Sequence, residues 1–245
     1  SSPSITLDSL VYASKRVRLG PILGLRWTDV TYPNPSLLAQ QRPVGVDGGK
    51  THYVGFGIIY DSRDWEPYPS QGAYHELFVR WHDGFIGSDF AFRRYTYTFC
   101  WYHRLNRRLV FGQRWIAEWL DGTVPFFEMA ALGGSWPSIG WGADRFMRGY
   151  ETNLFVDKAR IVASFELRWD PIYFTFSGQD ITIGFVPFVD VGRVAPSFEK
   201  FSTKGWKGSL GMGVRVIAQT RLVVRGDFAV TQDGAAFYVN LGNSF

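Results

Sequence analysis

The sequence predicts an all-β fold, an antiparallel transmembrane β-barrel of about ten strands. Most of the chain divides into segments of roughly ten residues in which apolar and polar side chains alternate, separated by turn residues. Phe, Trp and Tyr make up 18% of the residues, as expected for a barrel with aromatic girdles. No apolar run approaches the roughly 18 residues of a membrane-spanning helix, so spanning requires a closed barrel.

The alternating segments follow one another from residue 21 onward, and the alternatives are about eight or twelve strands, or part of a barrel of about sixteen. We expect residues 1–245 to form one membrane barrel domain. Residues 1–19 are ambiguous, because the part from Ile5 to Tyr12 fits either a strand or a terminal arm. The Pro- and Gly-containing segment 33–50 is expected to be a surface loop. The predicted strands are 21–32, 53–60, 73–81, 90–102, 109–120, 161–169, 181–191, 209–218, 221–230 and 235–245.

Charge and cysteine content exclude several classes of protein. The net charge is +4, and the charges are dispersed along the chain. Since no lysine-rich block is present, we expect no nucleic-acid partner. The single cysteine, Cys100, excludes an intrachain disulfide framework. Composition alone also fits an aromatic-rich soluble β-protein.

Alternation predicts which side chains share a face. Because neighbouring side chains of a strand point to opposite faces, Glu166 and Arg168 should point inward if Phe165 and Leu167 point outward. The segment 90–102 places four aromatic residues on one face, namely Tyr95, Tyr97, Phe99 and Trp101.

The stretch 131–157 interrupts the strand pattern. It is long, rich in Gly and Trp, and not strand-like. Loops of this size are usually functional or disordered, and the aromatic content argues against disorder. We therefore expect a functional loop here.

Several motifs occur in a fixed order along the chain. They are GIIYDSRDWEPYPSQGAYHELFVRW, VPFFEMAALGG, MRGY, ASFELRW and GFVPFVDVGRV, followed by GSLGMGVRV, LVVRGDFAV and FYVNLGNSF. In order and spacing this series resembles the bacterial surface-antigen (BamA/TamA/FhaC-type) outer-membrane barrel superfamily, over roughly residues 20–245. Members of that family usually carry periplasmic POTRA domains and sixteen strands. The chain resembles a short form that lacks POTRA-like segments.

The resemblance implies a contact between the long loop and the barrel wall. In the family, the Arg of an Arg-Gly-Tyr motif lies on a loop folded into the lumen. It contacts the acidic residue of a Phe-x-Asp motif and often a Glu on the strand between. A guanidinium fork binds such carboxylates bidentately, and a glycine beside it permits close approach to the wall. The alternative is an ordinary loop arginine and an aspartate in a turn. The corresponding residues here are Arg148, Gly149, Tyr150, Glu166, Phe188 and Asp190.

The last predicted strand carries a second candidate signal. Substrates of the outer-membrane assembly machinery end in a strand with a terminal aromatic residue and apolar residues at alternating positions. Asn243 departs from that pattern, and a chance terminal Phe is the alternative. The residues that fit the C-terminal assembly signal are Phe237, Val239, Leu241 and Phe245.

The resemblance implies an outer-membrane protein of a Gram-negative bacterium, or its organelle equivalent. We expect a non-enzymatic subunit or accessory of a complex that assembles or translocates outer-membrane proteins. The alternative is a small passive pore or a plugged structural barrel. The expected partners are membrane lipids and outer-membrane or periplasmic proteins that supply the missing POTRA function, and a homo-oligomer is possible.

Residues for catalysis are not grouped in the sequence. Its motifs include no nucleophile elbow, no metal-ligand cluster and no phosphate-binding loop, so we expect no metal, no other cofactor and no enzyme activity. Asp61 and Asp64 could supply paired carboxylates. A turn in which an aspartate pairs with Arg63 is the favoured interpretation. The four histidines are scattered over separate segments, at His52, His75, His82 and His103.

Overall fold

The strands of the chain form one antiparallel sheet. A computed structural model describes residues 2–130, 146–218 and 222–245. In these ranges the first strands are β1 (Ser4–Asp8), β2 (Val11–Tyr12), β3 (Val17–Thr28), β4 (Gly49–Lys50), β5 (Tyr53–Asp61), β6 (Gly72–His82) and β7 (Phe92–Asn106). The others are β8 (Leu109–Gly122), β9 (Ala159–Phe176), β10 (Gln179–Ala195), β11 (Lys207–Ala218), β12 (Leu222–Thr231) and β13 (Gly234–Leu241).

In the described ranges, helical structure is limited to short pieces between strands. The α-helices α1 (Leu37–Gln41) and α2 (Phe126–Ala130) have five residues each. Single 3-10 turns cover Gly84–Ile86 and Phe198–Lys200. In the parts of the chain that the structure covers, no helix combines the length and apolarity needed to cross a bilayer.

Sequence order and spatial order agree throughout the sheet. The order is β1-β3-β5-β6-β7-β8-β9-β10-β11-β12-β13, and β2 and β4 both pair with β3. β1 and β2 follow each other along the same edge of β3, so the ambiguous segment from Ile5 to Tyr12 is an interrupted strand. Among the described residues, β1 and β13 are the edges and do not pair with each other.

The all-β, antiparallel prediction is confirmed. Each of the ten predicted strands has a counterpart in β3 or in β5 to β13, and the additional strands β1, β2 and β4 are short. The segment 33–50 is a connection, as expected, although it contains α1 and β4. The four aromatic residues of the segment 90–102 lie opposite buried Arg94, Thr96 and Cys100.

The bounds of three strands, β9, β10 and β13, were predicted wrongly. β9 and β10 have 18 and 17 residues, well beyond the predicted 161–169 and 181–191. The alternation fades in their outer part because residues 173–180 are exposed on both faces. β13 ends at Leu241 and not at Phe245, because Gly242 takes a φ of +82° and turns the chain away from the sheet.

The two faces of the sheet differ in chemistry. The outer face is apolar and exposed, with Leu77, Tyr97, Trp101, Trp115, Trp119, Leu210, Met212, Phe228 and Val230 among its residues. The inner face buries ionic side chains, including Glu76, Arg80, Arg94, Arg114, Glu118, Arg160, Glu166, Arg168, Asp190, Arg215, Arg225 and Asp227. This pattern is inverted relative to a soluble protein and is typical of a membrane barrel.

The two ends of the sheet carry different connections. At one end, the loop end, the long connections 29–52, 83–91, 123–158 and 196–206 join the strands. At the other, the turn end, lie the connections 62–71, 107–108 and 177–178. The connection 123–158 between β8 and β9 contains the whole of the segment 131–157, where a functional loop was expected. Its residues 131–145 lie outside the described part of the chain.

Candidate functional site

The two described flanks of the β8–β9 connection fold onto the inner face of the sheet. The flank after the undescribed part carries Arg148, which is only 1% exposed. Its Nε and Nη2 donate to the two carboxylate oxygens of Asp190, each at 2.8 Å. Its Nη1 donates to Glu166 Oε1 at 2.8 Å. The guanidinium therefore uses its fork on one carboxylate and its remaining edge on another.

The backbone and an aromatic ring complete this contact. The backbone N–H of Arg148 also donates to Asp190 Oδ2, at 3.1 Å. The guanidinium carbon lies 3.4 Å from the centroid of the Phe188 ring, a cation–π contact. Gly211 on β11 leaves room for that ring, since a Cβ there would lie 2.2 Å from Phe188 Cζ. The position and the direction of the guanidinium are both fixed.

Gly149 and Tyr150 hold the adjoining backbone on β11 to β13. Gly149 has a φ of +94°, and a Cβ at this position would lie 2.6 Å from Thr231 Cγ2. Its N–H donates to the hydroxyl of Tyr238 at 3.1 Å. The Tyr150 hydroxyl donates to the carbonyl of Gly208 at 3.0 Å. Glycine is thus needed here for both conformation and space. The structure places all six residues of the expected loop–wall contact together.

The carboxylates that hold Arg148 belong to a wider ionic network. Glu166 Oε2 accepts from Arg168 Nε at 3.0 Å. Asp227 on β12 accepts from Arg215 at 2.6 Å and from Arg225 at 2.8 Å. These groups are wholly buried, and such charges are tolerated only when they are paired and hydrogen-bonded.

Residues after β13 also enter this network, which the sequence analysis missed. Ser244 donates to Glu166 Oε1, and its carbonyl accepts from Arg114 Nη1 at 2.9 Å. The Phe245 carbonyl accepts from Arg168 Nη2 at 2.9 Å, and its ring lies 4.8 Å from the Arg114 guanidinium carbon. Phe245 is therefore separated from Phe237, Val239 and Leu241, which stay exposed on β13. Gly242 was the only sequence signal for this turn.

The flank before the undescribed part carries a second missed residue, Glu128 of α2. It is 3% exposed. Its Oε1 accepts from Thr51 Oγ1 at 2.8 Å and from Arg26 at 3.2 Å, and its Oε2 accepts from Arg94 at 2.7 Å. Burial alone raises the pKa of a carboxyl group, but the Arg94 and Arg26 guanidiniums outweigh it and lower the pKa of Glu128 to about 2.

The segment 62–71 covers part of the inner face at the turn end. The Tyr68 hydroxyl donates to Asp170 Oδ1 at 3.0 Å, and the Pro69 carbonyl accepts from Arg168 at 3.2 Å. Asp61 pairs with Arg63, as the turn interpretation expected, at 2.7 Å. Asp64 accepts from the backbone N–H groups of Ser70 and Gln71.

The remaining candidates for chemistry are not assembled. Nδ1 of His52 accepts from the backbone N–H of Arg26, while His75 contacts the hydroxyl of Tyr97. The ring of His82 stacks on Phe92. In the described ranges, no group of three or more His, Cys, Asp or Glu residues is arranged to hold a metal ion.

Comparison with known proteins gives a consistent result. A family model described as the Omp85 superfamily domain matches residues 23–245. The crystal structure of BamA from Haemophilus ducreyi lacking POTRA domains 1-3 is similar with a TM-score of 0.64 and 13% sequence identity. The similarity covers 99% of this chain and 53% of that chain, so the present chain spans about half the length of that structure. None of the curated proteins compared with the chain matches it.

Proposed function

Because the chain belongs to the Omp85 superfamily, we propose that it forms a non-enzymatic barrel domain of the outer membrane, in which the described flanks of the β8–β9 connection lie in the lumen. Its role is that of a subunit or accessory in a complex that assembles or translocates outer-membrane proteins. The observation that carries the proposal is the buried contact of Arg148 with Asp190 and Glu166.

The chemistry of the two faces supports a membrane location. Exposed Trp, Tyr, Leu and Val side chains on the outer face suit lipid, while the buried ionic groups suit a filled lumen. The edge strands β1 and β13 present backbone groups that need partner strands in lipid. Such strands would come from more of the same protein, from another copy, or from a partner protein.

The Arg148 contact suits a loop segment that holds the lumen closed. Removing one partner of a buried ion pair typically costs about 3–5 kcal/mol, because the other charge stays buried. An ionic contact of this strength is stable on its own, yet it is open to displacement by a substrate or partner that offers competing groups.

The proposal is tested by isolating the tagged protein from its native outer membrane in mild detergent, followed by native mass measurement and identification of bound proteins. A stoichiometric complex with outer-membrane or periplasmic proteins is the expected result. Recovery of the protein only as a monomer or homo-oligomer would overturn the role as a subunit.

A plugged structural barrel is the second candidate, and the inward position of both 62–71 and 242–245 favours it. Single-channel conductance distinguishes the candidates. A plugged barrel stays closed in both wild type and Arg148→Ala, whereas a loop that moves in function should give open events in the variant.

A further inference from the structure

The described flanks of the β8–β9 connection contact the wall through one buried ionic side chain each, and the sequence analysis gave a role to only one of the two. The first side chain is Glu128 in α2, and the second is Arg148. At the first the loop supplies the carboxylate and the wall supplies guanidiniums. At the second the loop supplies the guanidinium and the wall supplies carboxylates. The two contacts therefore have opposite polarity.

The two contacts use separate parts of the wall. Glu128 contacts Arg26 on β3, Thr51 just before β5, and Arg94 on β7. Arg148 contacts groups on β9 and β10. These two sets of wall residues do not overlap in the described part of the chain. Energetic effects at sites without shared partners usually add, so each contact should hold its own flank.

Backbone contacts strengthen the position of α2. Arg94 Nη2 donates to the carbonyl of Glu128 at 2.7 Å, and Arg160 Nη1 donates to the carbonyl of Met129 at 2.6 Å. The N–H of Phe126 donates to the carbonyl of Val44 at 3.0 Å. Replacing the Glu128 carboxylate by an amide leaves these backbone contacts available, so the variant should still fold.

The electrostatics of this wall region explain why the loop supplies a carboxylate. Glu118 on β8 pairs with Arg94 and with Arg160. Arg26, Arg94 and Arg160 thus supply three guanidiniums around α2, and Glu118 and Glu128 supply the carboxylates among them. Buried guanidiniums are stabilised by such partners, which fixes α2 against the wall.

We propose that Glu128 is a second anchor of the β8–β9 connection, a positioning residue that holds the first flank on β3 and β7 independently of the Arg148 contact. The two described flanks then leave the wall in two steps and not in one. This inference rests on the proposed role of the connection as the lumen-filling element. It adds Glu128 to the residues that hold the connection, and it adds a separate release of each flank.

The experiment measures how readily each flank leaves the wall. In a Cys100→Ser background, a single cysteine replaces Met129 beside the first anchor or Met147 beside the second. The rate of maleimide labelling of the folded full chain reports local opening. Each reporter is measured alone and combined with Glu128→Gln, Arg148→Gln or both substitutions.

We expect Glu128→Gln to raise labelling at position 129 by roughly tenfold and to leave position 147 within about twofold of the parent, as the loss of one charged hydrogen bond implies. Arg148→Gln should do the reverse, and the double substitution should raise both. A wild-type labelling rate at position 129 in Glu128→Gln overturns the proposal. Equal acceleration of labelling at both positions also overturns the proposal, because it means that the two flanks are released together.

The matched control is Glu118→Gln. It removes a carboxylate from the same Arg94 and Arg160, but from the wall and not from the loop. If Glu128 acts only through the charge of the cluster, the two substitutions will accelerate labelling equally, and the anchor is disproved. Glu128→Asp, which keeps the charge, should restore a rate between those of Glu128→Gln and the parent.

Arg26→Gln provides a second route if Glu128→Gln folds poorly. Arg26 lies at the partly exposed side of the contact and loses less on substitution. It should raise labelling at position 129 by roughly twofold to fivefold, as expected for a weaker charged contact, and no change would count against the anchor. Labelling needs no partner protein, so isolation without partners can refute the proposed function while the anchor stands, and the converse also holds.

Discussion

The two described flanks of the β8–β9 connection are held on the inner face of the sheet by different kinds of ionic contact. Arg148 spreads a planar fork over Asp190 and Glu166, with the Phe188 ring against its face. Glu128 instead gathers donors from three separate parts of the chain onto two oxygens. The first contact depends on the shape of the loop side chain. We expect the second contact to depend mainly on the charge of Glu128, because Arg26 and Arg94 have long side chains that can follow a displaced carboxylate.

The largest expected effect is that of Arg148→Ala. Asp190 loses the guanidinium that binds both of its oxygens, Glu166 loses one of its guanidinium partners, and both carboxylates stay buried, so the free energy of unfolding should fall by about 3–5 kcal/mol. Urea unfolding in detergent, followed by tryptophan fluorescence, measures this loss. Arg104→Ala, at an exposed pair with Asp64, is the control and should change stability by less than about 1 kcal/mol. Equal losses in the two variants would contradict a special role for Arg148.

A smaller effect separates shape from charge. Arg148→Lys keeps the charge but loses the fork, and we expect a loss of about 2 kcal/mol. Glu128→Asp keeps the charge but withdraws the carboxylate by one methylene group, and its loss should be about 1 kcal/mol. The same unfolding measurement compares the two. If the Arg148→Lys variant proves as stable as the wild type, the contact at Arg148 also depends on charge alone and the contrast fails.

Gly149→Ala tests the backbone beside Arg148. The φ of +94° disfavours a Cβ, and the added atom would press on Thr231 Cγ2, so we expect a loss of about 1–2 kcal/mol. Gly178→Ala is a matched control because its φ is +77° in open space at a hairpin turn. It reports the conformational cost alone, and Gly149→Ala should exceed it. A smaller loss at Gly149 would show that Thr231 moves to accommodate the added methyl group.

The smallest effect is the pH dependence of the first anchor. The folded-state pKa of Glu128, about 2, lies below the usual value of a free glutamate, about 4.3. Its stabilisation is therefore fully present above about pH 5 and is lost as the pH falls towards 2. The charged groups that set this pKa are Arg94, Arg26 and His82. The stability difference between wild type and Glu128→Gln should be constant from pH 7 to 5 and shrink at pH 3. A difference that shrinks already at pH 5 would contradict the assignment.

Most strands could be predicted from the sequence, because burial of one face of a strand imposes an alternation of side chains that face inward and outward. Glu166 and Arg168 point inward, as their alternation with Phe165 and Leu167 predicted. Alternation did not predict the outer part of β9, where neither face of the strand is buried. Beyond Trp169, β9 no longer pairs with β8, both faces are exposed, and no alternation marks the strand.

The candidate site was predictable only in part. Arg148 and Asp190 were predicted from the resemblance of the ordered motifs to a known family, and the fit of a guanidinium fork to a carboxylate agreed with that prediction. Glu128 was missed because a five-residue helix is too short to show a helical period. The inward turn at Gly242 was missed because positive φ belongs to the fold and cannot be read from an isolated glycine.

The strands of the β9–β10 hairpin are longer than the neighbouring strands β8 and β11. A tilted strand crosses a bilayer with roughly 9–11 residues, and β9 has 18. The last residue of β9 that pairs with β8 is Trp169, and the hairpin closes at Ser177 and Gly178, both with positive φ. Insertions are best tolerated at such exposed tips. A short epitope placed between these two residues would stand clear of the wall, and antibody access to it in intact and permeabilised cells would report which side of the membrane the turn end faces.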